Sequence, residues 1–239
     1  MELILVASAV IPAVWLMIRV YRADRLEKEP AGLLTSLIFL GILSTSLAAL
    51  TEELGVNMLN SLFQEENLLY DAILYFAVVA LSEEGFKYLL LKIRTWKSPH
   101  FNCTFDGVVY AVFVSLGFAL WENISYVLRY GMGTALARAI TAIPGHACFG
   151  VFMGVWYGVA KRYELADLPE EANRARWSGF VSAVILHGLY DFIATIQNEY
   201  MGIVFLIFVG WMFRKALQLV KQASAEDSPV ARSRNNNDF

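Results

Sequence analysis

Cysteine is nearly absent from this sequence: Cys103 and Cys148 are the only two among 239 residues. That excludes a disulfide framework and any CxxC metal site, and both are expected as free thiols. Charge is also sparse, at 17% of residues with a net charge of -3, and no run of Lys and Arg forms the concentrated basic face that nucleic-acid binding requires. Neither histidine pairing has HExxH spacing, and no internal repeat marks two related halves of a transporter. The apolar run at the N-terminus, MELILVASAVIPAVWLMIRVYR, carries no Lys or Arg ahead of it, so it reads as an uncleaved first span and not as a signal peptide.

What is abundant is apolar surface. Hydrophobic residues make up 57% of the chain and aromatics 14%, with a mean hydropathy of +0.50. A soluble domain holds less, so the fold class expected is all-α, a polytopic bundle in a membrane. Runs of about 20 apolar residues cross a hydrocarbon core of about 30 Å. Seven are expected, at 2–21, 31–51, 70–91, 107–128, 138–160, 178–197 and 200–220. They make one transmembrane domain, 1–221, followed by a polar tail at 222–239 that composition marks as disordered.

Basic residues are shared unequally between the connecting segments. One alternating set holds Arg19, Arg22, Arg25 and Lys28, then Lys92, Arg94 and Lys97, then Lys161, Arg162, Arg174 and Arg176, and finally Arg214, Lys215, Lys221, Arg232 and Arg234. The other set holds only Arg129 and Arg138. The positive-inside rule therefore predicts an outside N-terminus and a cytoplasmic C-terminus, in the cell membrane.

Several ionisable residues interrupt the spans: Glu83, Glu84, Lys87, Glu122, His146, His187 and Asp191. An acid or lysine at a helix centre costs about 2.5–3.5 kcal/mol on insertion, so this many must be paired or must line a wet cavity. Counted from the basic ends of their spans at 1.5 Å per residue, they lie about 12–22 Å deep, in one layer contributed by four helices. Glu83 and Lys87 are four apart, Glu84 and Lys87 three, His187 and Asp191 four, so each set shares a helix face. Gly150, Gly154 and Gly158 follow His146 at intervals of four, a stripe that lets a neighbouring helix approach and turns the histidine toward packed protein.

Clustered carboxylates with one opposing lysine cannot all stay ionised in a low-dielectric site, which suits a glutamate to general acid-base work. Two histidines supply donors for an oxyanion, and Asp191 can fix the tautomer of His187. These are the parts for activating water against an amide. Proton-coupled transport uses similar intramembrane residues, and a non-catalytic scaffold could clasp single-span helices with them. Other polar residues read as structural: Glu52 and Glu53 as interfacial at an external span end, His100 as solvated, and Asp106 as a helix cap.

At these residues the sequence resembles the PrsW family of intramembrane proteases, and more distantly the CAAX-protease superfamily. The matches are EEGFK at 83–87 for EExxK, FALWEN at 118–123 for FxxxEN, HACF at 146–149 for HxxF and HGLYD at 187–191 for HxxxD. The resemblance implies a peptidase that cuts a membrane-anchored anti-sigma factor in a first, site-1 type cleavage. It puts Glu83 and Glu84 in the water-activating role and His146 and His187 at the transition state or as ligands, with Lys87, Glu122, Asn123 and Asp191 in support. The superfamily relatives carry a histidine where Glu122 stands. A prenyl-protein peptidase is the alternative within the enzyme class. Without HExxH spacing the expectation is a metal-free, glutamic mechanism; if a metal is held, zinc suits His146, His187 and Glu83.

Overall fold

The computed structural model describes residues 2–65, 67–196, 198 and 200–230. Among these the chain is a bundle of helices with no strand. In order they are α1 (Glu2–Ala23), α2 (Ala31–Leu62), α3 (Leu68–Ile73), a π-helical segment (Leu74–Ala80), α4 (Leu81–Thr95), α5 (Asp106–Tyr130), α6 (Met132–Ile140), α7 (Ala142–Leu165), α8 (Pro169–Thr195) and α9 (Met201–Ala225).

Among the described residues six stretches are long and apolar enough to cross a membrane: Val6–Ala23, Ala31–Leu62, Asp106–Tyr130, Met132–Leu165, Pro169–Thr195 and Met201–Ala225. The third expected span, 70–91, is helical throughout but is not in that set; three charged residues, Glu83, Glu84 and Lys87, interrupt it. It is also not one regular helix. The π-helical turns at 74–80 widen the hydrogen-bond step just before Glu83 and Glu84, and such insertions reset the direction of every side chain that follows.

The expected end of the second span at 51 also gives way. α2 continues to Leu62, and its 32 residues reach about 48 Å, well beyond a hydrocarbon core. The fifth expected span is divided. Gly131 ends α5 in the left-handed region, with φ of 82°, and the chain turns into the short α6 before α7 begins at Ala142. At the C-terminus, α9 absorbs the first residues of the tail expected to be disordered. Asp227 then accepts hydrogen bonds from the Thr104 hydroxyl at 2.9 Å and the Phe105 N–H at 2.8 Å, and Val230 N–H donates to the Asn102 carbonyl at 2.7 Å. The remainder of that tail, 231–239, lies outside the described residues.

α5 is the central post. Every residue from Asp106 to Ala119 is buried, and the helix packs against α1, α2 and α7. The glycine stripe on α7 makes the tightest crossing: a Cβ at Gly154 would lie 2.6 Å from the Gly107 carbonyl oxygen and 2.6 Å from the Val108 Cα. Backbone meets backbone there, so only glycine fits. Asp106, expected to cap α5, instead turns its carboxylate to the loop before the helix, accepting from Asn102 N–H at 3.0 Å and Cys103 N–H at 2.7 Å.

Beside that loop, between α1 and α2, the carboxylates of Asp24 and Glu29 are buried. Burial raises Asp24 to about 6 and Glu29 to about 7. A carboxyl raised in the folded state stabilises the fold relatively at low pH, and that contribution is lost as pH climbs through the folded value.

Two outcomes follow. Gly154→Leu is expected to force α5 and α7 apart at a cost of about 1–3 kcal/mol, seen as a lowered melting temperature in detergent. The wild-type melting temperature is expected to fall between about pH 4 and pH 7, and Glu29→Gln should flatten that fall; an unaltered profile in the variant would contradict the assignment to Glu29.

Candidate active site

The polar residues of four helices meet at one point in the middle of the bundle. α4 supplies Glu83, Glu84 and Lys87 from its first two turns, all buried. The Lys87 ammonium donates to Glu84 Oε1 at 2.8 Å and to Glu83 Oε2 at 3.1 Å, and it lies 3.2 Å from His146 Nδ1. An ammonium has only protons to offer, so Nδ1 of His146 is the accepting nitrogen and Nε2 carries the proton. That Nε2–H points to Glu122 Oε2 at 3.0 Å.

His187, from α8, is held at both ends. Its Nδ1 is 2.9 Å from Glu84 Oε1 and its Nε2 is 3.2 Å from Asp191 Oδ2, one turn along the same helix; Glu83 Oε2 lies 3.8 Å from Nε2. The phenylalanines of the motifs hold the polar groups in place. Phe149 stacks on the His187 ring at 4.7 Å between centroids and 16° between planes, and Lys87 Nζ sits 3.7 Å above the centre of Phe118. Both contacts sheathe a charge or an imidazole in apolar carbon, and the second is a cation–π interaction.

Four ligand-type residues, Glu83, Glu84, His146 and His187, bring one donor atom each within 4.8 Å of one another. Glu84 Oε2 is buried with no hydrogen-bond partner among the described residues. A cavity of about 370 Å³ opens on one side of this cluster, and among its walls are Glu83, Glu122, His146, His187 and Asp191. Glu84 and Lys87 do not line it and lie behind that wall. The two adjacent glutamates thus have different surroundings: one faces the cavity and the other faces Lys87 and His187.

Two charged residues of this cavity escaped the sequence reading. Arg138, on α6, donates to Glu122 Oε2 at 2.7 Å and from Nε to Asn123 Oδ1 at 3.0 Å, with its guanidinium 3.9 Å above the centre of Tyr126. Lys87 is therefore not the one cation opposing the acids. The signal was present: Arg138 is one of two basic residues on the side that otherwise has none. Glu52, expected to be interfacial, lines the cavity because α2 runs on past the predicted span end. Asn123 is buried behind the cavity wall, where it joins α5 to α6 through Arg138.

Residues 29–216 match the sequence model of the PrsW proteases, described as PrsW family intramembrane metalloprotease. The chain belongs to the PrsW family. Among curated relatives it is 31% identical to Protease PrsW of Geobacillus kaustophilus over 231 residues, covering 95% of both chains. It is 29% identical to Protease PrsW of Bacillus subtilis, covering 89% of this chain and 94% of that one, and 30% identical to Protease PrsW of Clostridioides difficile, covering 87% of each. No solved structure gives a significant match. This PrsW-family chain is a multi-pass membrane protein and a peptidase.

Removing the ammonium tests the centre. Lys87→Met leaves Glu83 and Glu84 with only His187 as a cationic partner, an uncompensated buried charge expected to cost about 3–5 kcal/mol of stability. The expected result is a marked fall in melting temperature, partly recovered when Glu84→Gln is added; an unchanged value for Lys87→Met would contradict the ion-pair role.

Proposed function

We propose that this protein hydrolyses a peptide bond of a membrane-anchored regulatory protein, of the anti-sigma factor class, within or at the edge of the cell membrane, and that Glu83 activates the water. The observation that carries this reading is the separation of the glutamate pair, with Glu83 at the cavity wall and Glu84 sealed behind it. A general base must reach the water it deprotonates, and only the first carboxylate does. The anti-sigma factor class rests on the resemblance in EEGFK, FALWEN, HACF and HGLYD.

In this reading Glu83 Oε2 takes a proton from water as its oxygen adds to the scissile carbonyl carbon, and the same proton passes to the leaving amine when the C–N bond breaks. Negative charge developing on the carbonyl oxygen is met by the Arg138 guanidinium on the cavity wall, which keeps N–H groups beyond those given to Glu122 and Asn123. Glu84 and Asp191 hold His187 from its two nitrogens, and Lys87 fixes the tautomer of His146. Glu122 is shared between His146 and Arg138, which gives it a positioning role.

The residues also fit a divalent cation such as zinc, as the family description implies. Two imidazole nitrogens and two carboxylates converge, and Glu84 Oε2 is a buried acceptor without a donor. Glu83, Glu84, His146 and His187 would hold the ion, which when bound supplies a Lewis acid and lowers the pKa of its water. Lys87 already occupies three of these donors with its own positive charge, so an ion and the ammonium compete for the same oxygens.

Cleavage of purified single-span substrates, read by mass spectrometry, tests the proposal. Glu83→Gln is expected to lower cleavage by about 10²–10⁴-fold while the protein remains in the membrane, and His187→Ala should abolish it. Unchanged cleavage in both variants would overturn the assignment. Loss of activity with a chelator, restored by zinc, would select the cation-holding form; insensitivity would select the glutamate alone.

A further inference from the structure

A second cavity, of about 680 Å³, lies on the outside of the bundle between α1, α7 and α9, well apart from the carboxylate cluster. Its deep wall on α7 is formed by Pro144, Ala147, Cys148 and Val151, a stripe at intervals of three and four that lies about 150° around the helix from His146. Its rim carries Arg19 and Arg22 from the end of α1, Arg25 just beyond it, and Lys221 from the end of α9. Among the described residues no Asp or Glu lines it.

The rim charges are not used by the protein itself. All four side chains are exposed, and Arg22, Arg25 and Lys221 form no ion pair or side-chain hydrogen bond among the described residues, while Arg19 only leans over the Trp15 ring at 5.7 Å. Four like charges converging on one groove repel one another, and they are held there by the helices that carry them. The groove runs from this basic end, expected to face the cytoplasm, to the middle of α7, so it combines a cationic mouth with an apolar slot at membrane depth.

We propose that this groove binds an acidic phospholipid of the inner leaflet, with its phosphate between Arg22 and Lys221 and an acyl chain lying in the slot against Ala147, Cys148 and Val151. Basic pockets between spans at the cytoplasmic side suit acidic headgroups, and the surface potential of such a leaflet adds to the attraction. An acyl chain there packs against the back of the helix whose other side presents His146. The lipid thus acts as a wedge that supports α7.

The test uses the full-length protein, purified and stripped of lipid in detergent. Phosphatidylglycerol, phosphatidylcholine of the same chain composition, and inorganic phosphate are added separately, with retained adducts read by native mass spectrometry and stability by thermal unfolding. Phosphatidylglycerol is expected to be retained and to raise the melting temperature, with the other two failing to do so. Arg22→Gln with Lys221→Gln should weaken that retention about tenfold or more, while Arg19, Arg25, Lys28, Arg214 and Lys215 remain to hold the orientation. Leu217→Trp, at an exposed position that narrows the slot, should weaken it with every rim charge intact. Equal retention of phosphatidylcholine, a matching effect of inorganic phosphate, or an unaltered preference in both variants would overturn the proposal.

Discussion

Everything in the middle of this bundle depends on the Lys87 ammonium. In a low-dielectric interior a carboxylate is tolerated only when a positive charge stands against it, and Lys87 stands against two while also fixing the accepting nitrogen of His146. From that point the arrangement extends outward in both directions, through Glu84 to His187 and Asp191, and through His146 to Glu122 and Arg138. The chain of contacts crosses α4, α5, α6, α7 and α8. It holds these helices together in the middle of the bundle, where the surrounding packing is apolar.

Packing decides where that chain of contacts can close. The glycine stripe brings α7 onto α5, which sets Glu122 and His146 face to face, and the π-helical turns before α4 set the direction of Glu83 and Glu84. The motif phenylalanines complete the arrangement from the apolar side, Phe149 against His187 and Phe118 beneath Lys87. A peptidase site inside a membrane needs both parts. The apolar sheath strengthens each electrostatic contact, and the cavity of about 370 Å³ is lined by Glu83 and not by Glu84.

Much of this was legible in the residues themselves. Polar side chains are costly in a span, so Glu83, Glu84, Lys87, Glu122, His146, His187 and Asp191 stood out against an apolar background, and intervals of three and four placed the partners within each helix. The all-α bundle followed from the same apolar lengths. Arg138 and Glu52 were harder to see, since both lie near predicted span ends, where charge is inexpensive and carries little information. The division of the fifth span at Thr141 and the overrun of α2 moved both into the cavity.

The sequence by itself determined that charge had to be gathered inside the membrane and which residues on each helix would share a face, because spacing within one helix is set by its 3.6-residue turn. Which faces meet was decided only by the tertiary structure. Helix rotation, the π-helical insertion and the glycine crossing act on the angle between helices, and no spacing along the chain encodes that angle directly. The pairings of Lys87 with His146, Glu84 with His187 and Glu122 with Arg138 are all of this second kind, and so is the difference between the two glutamates.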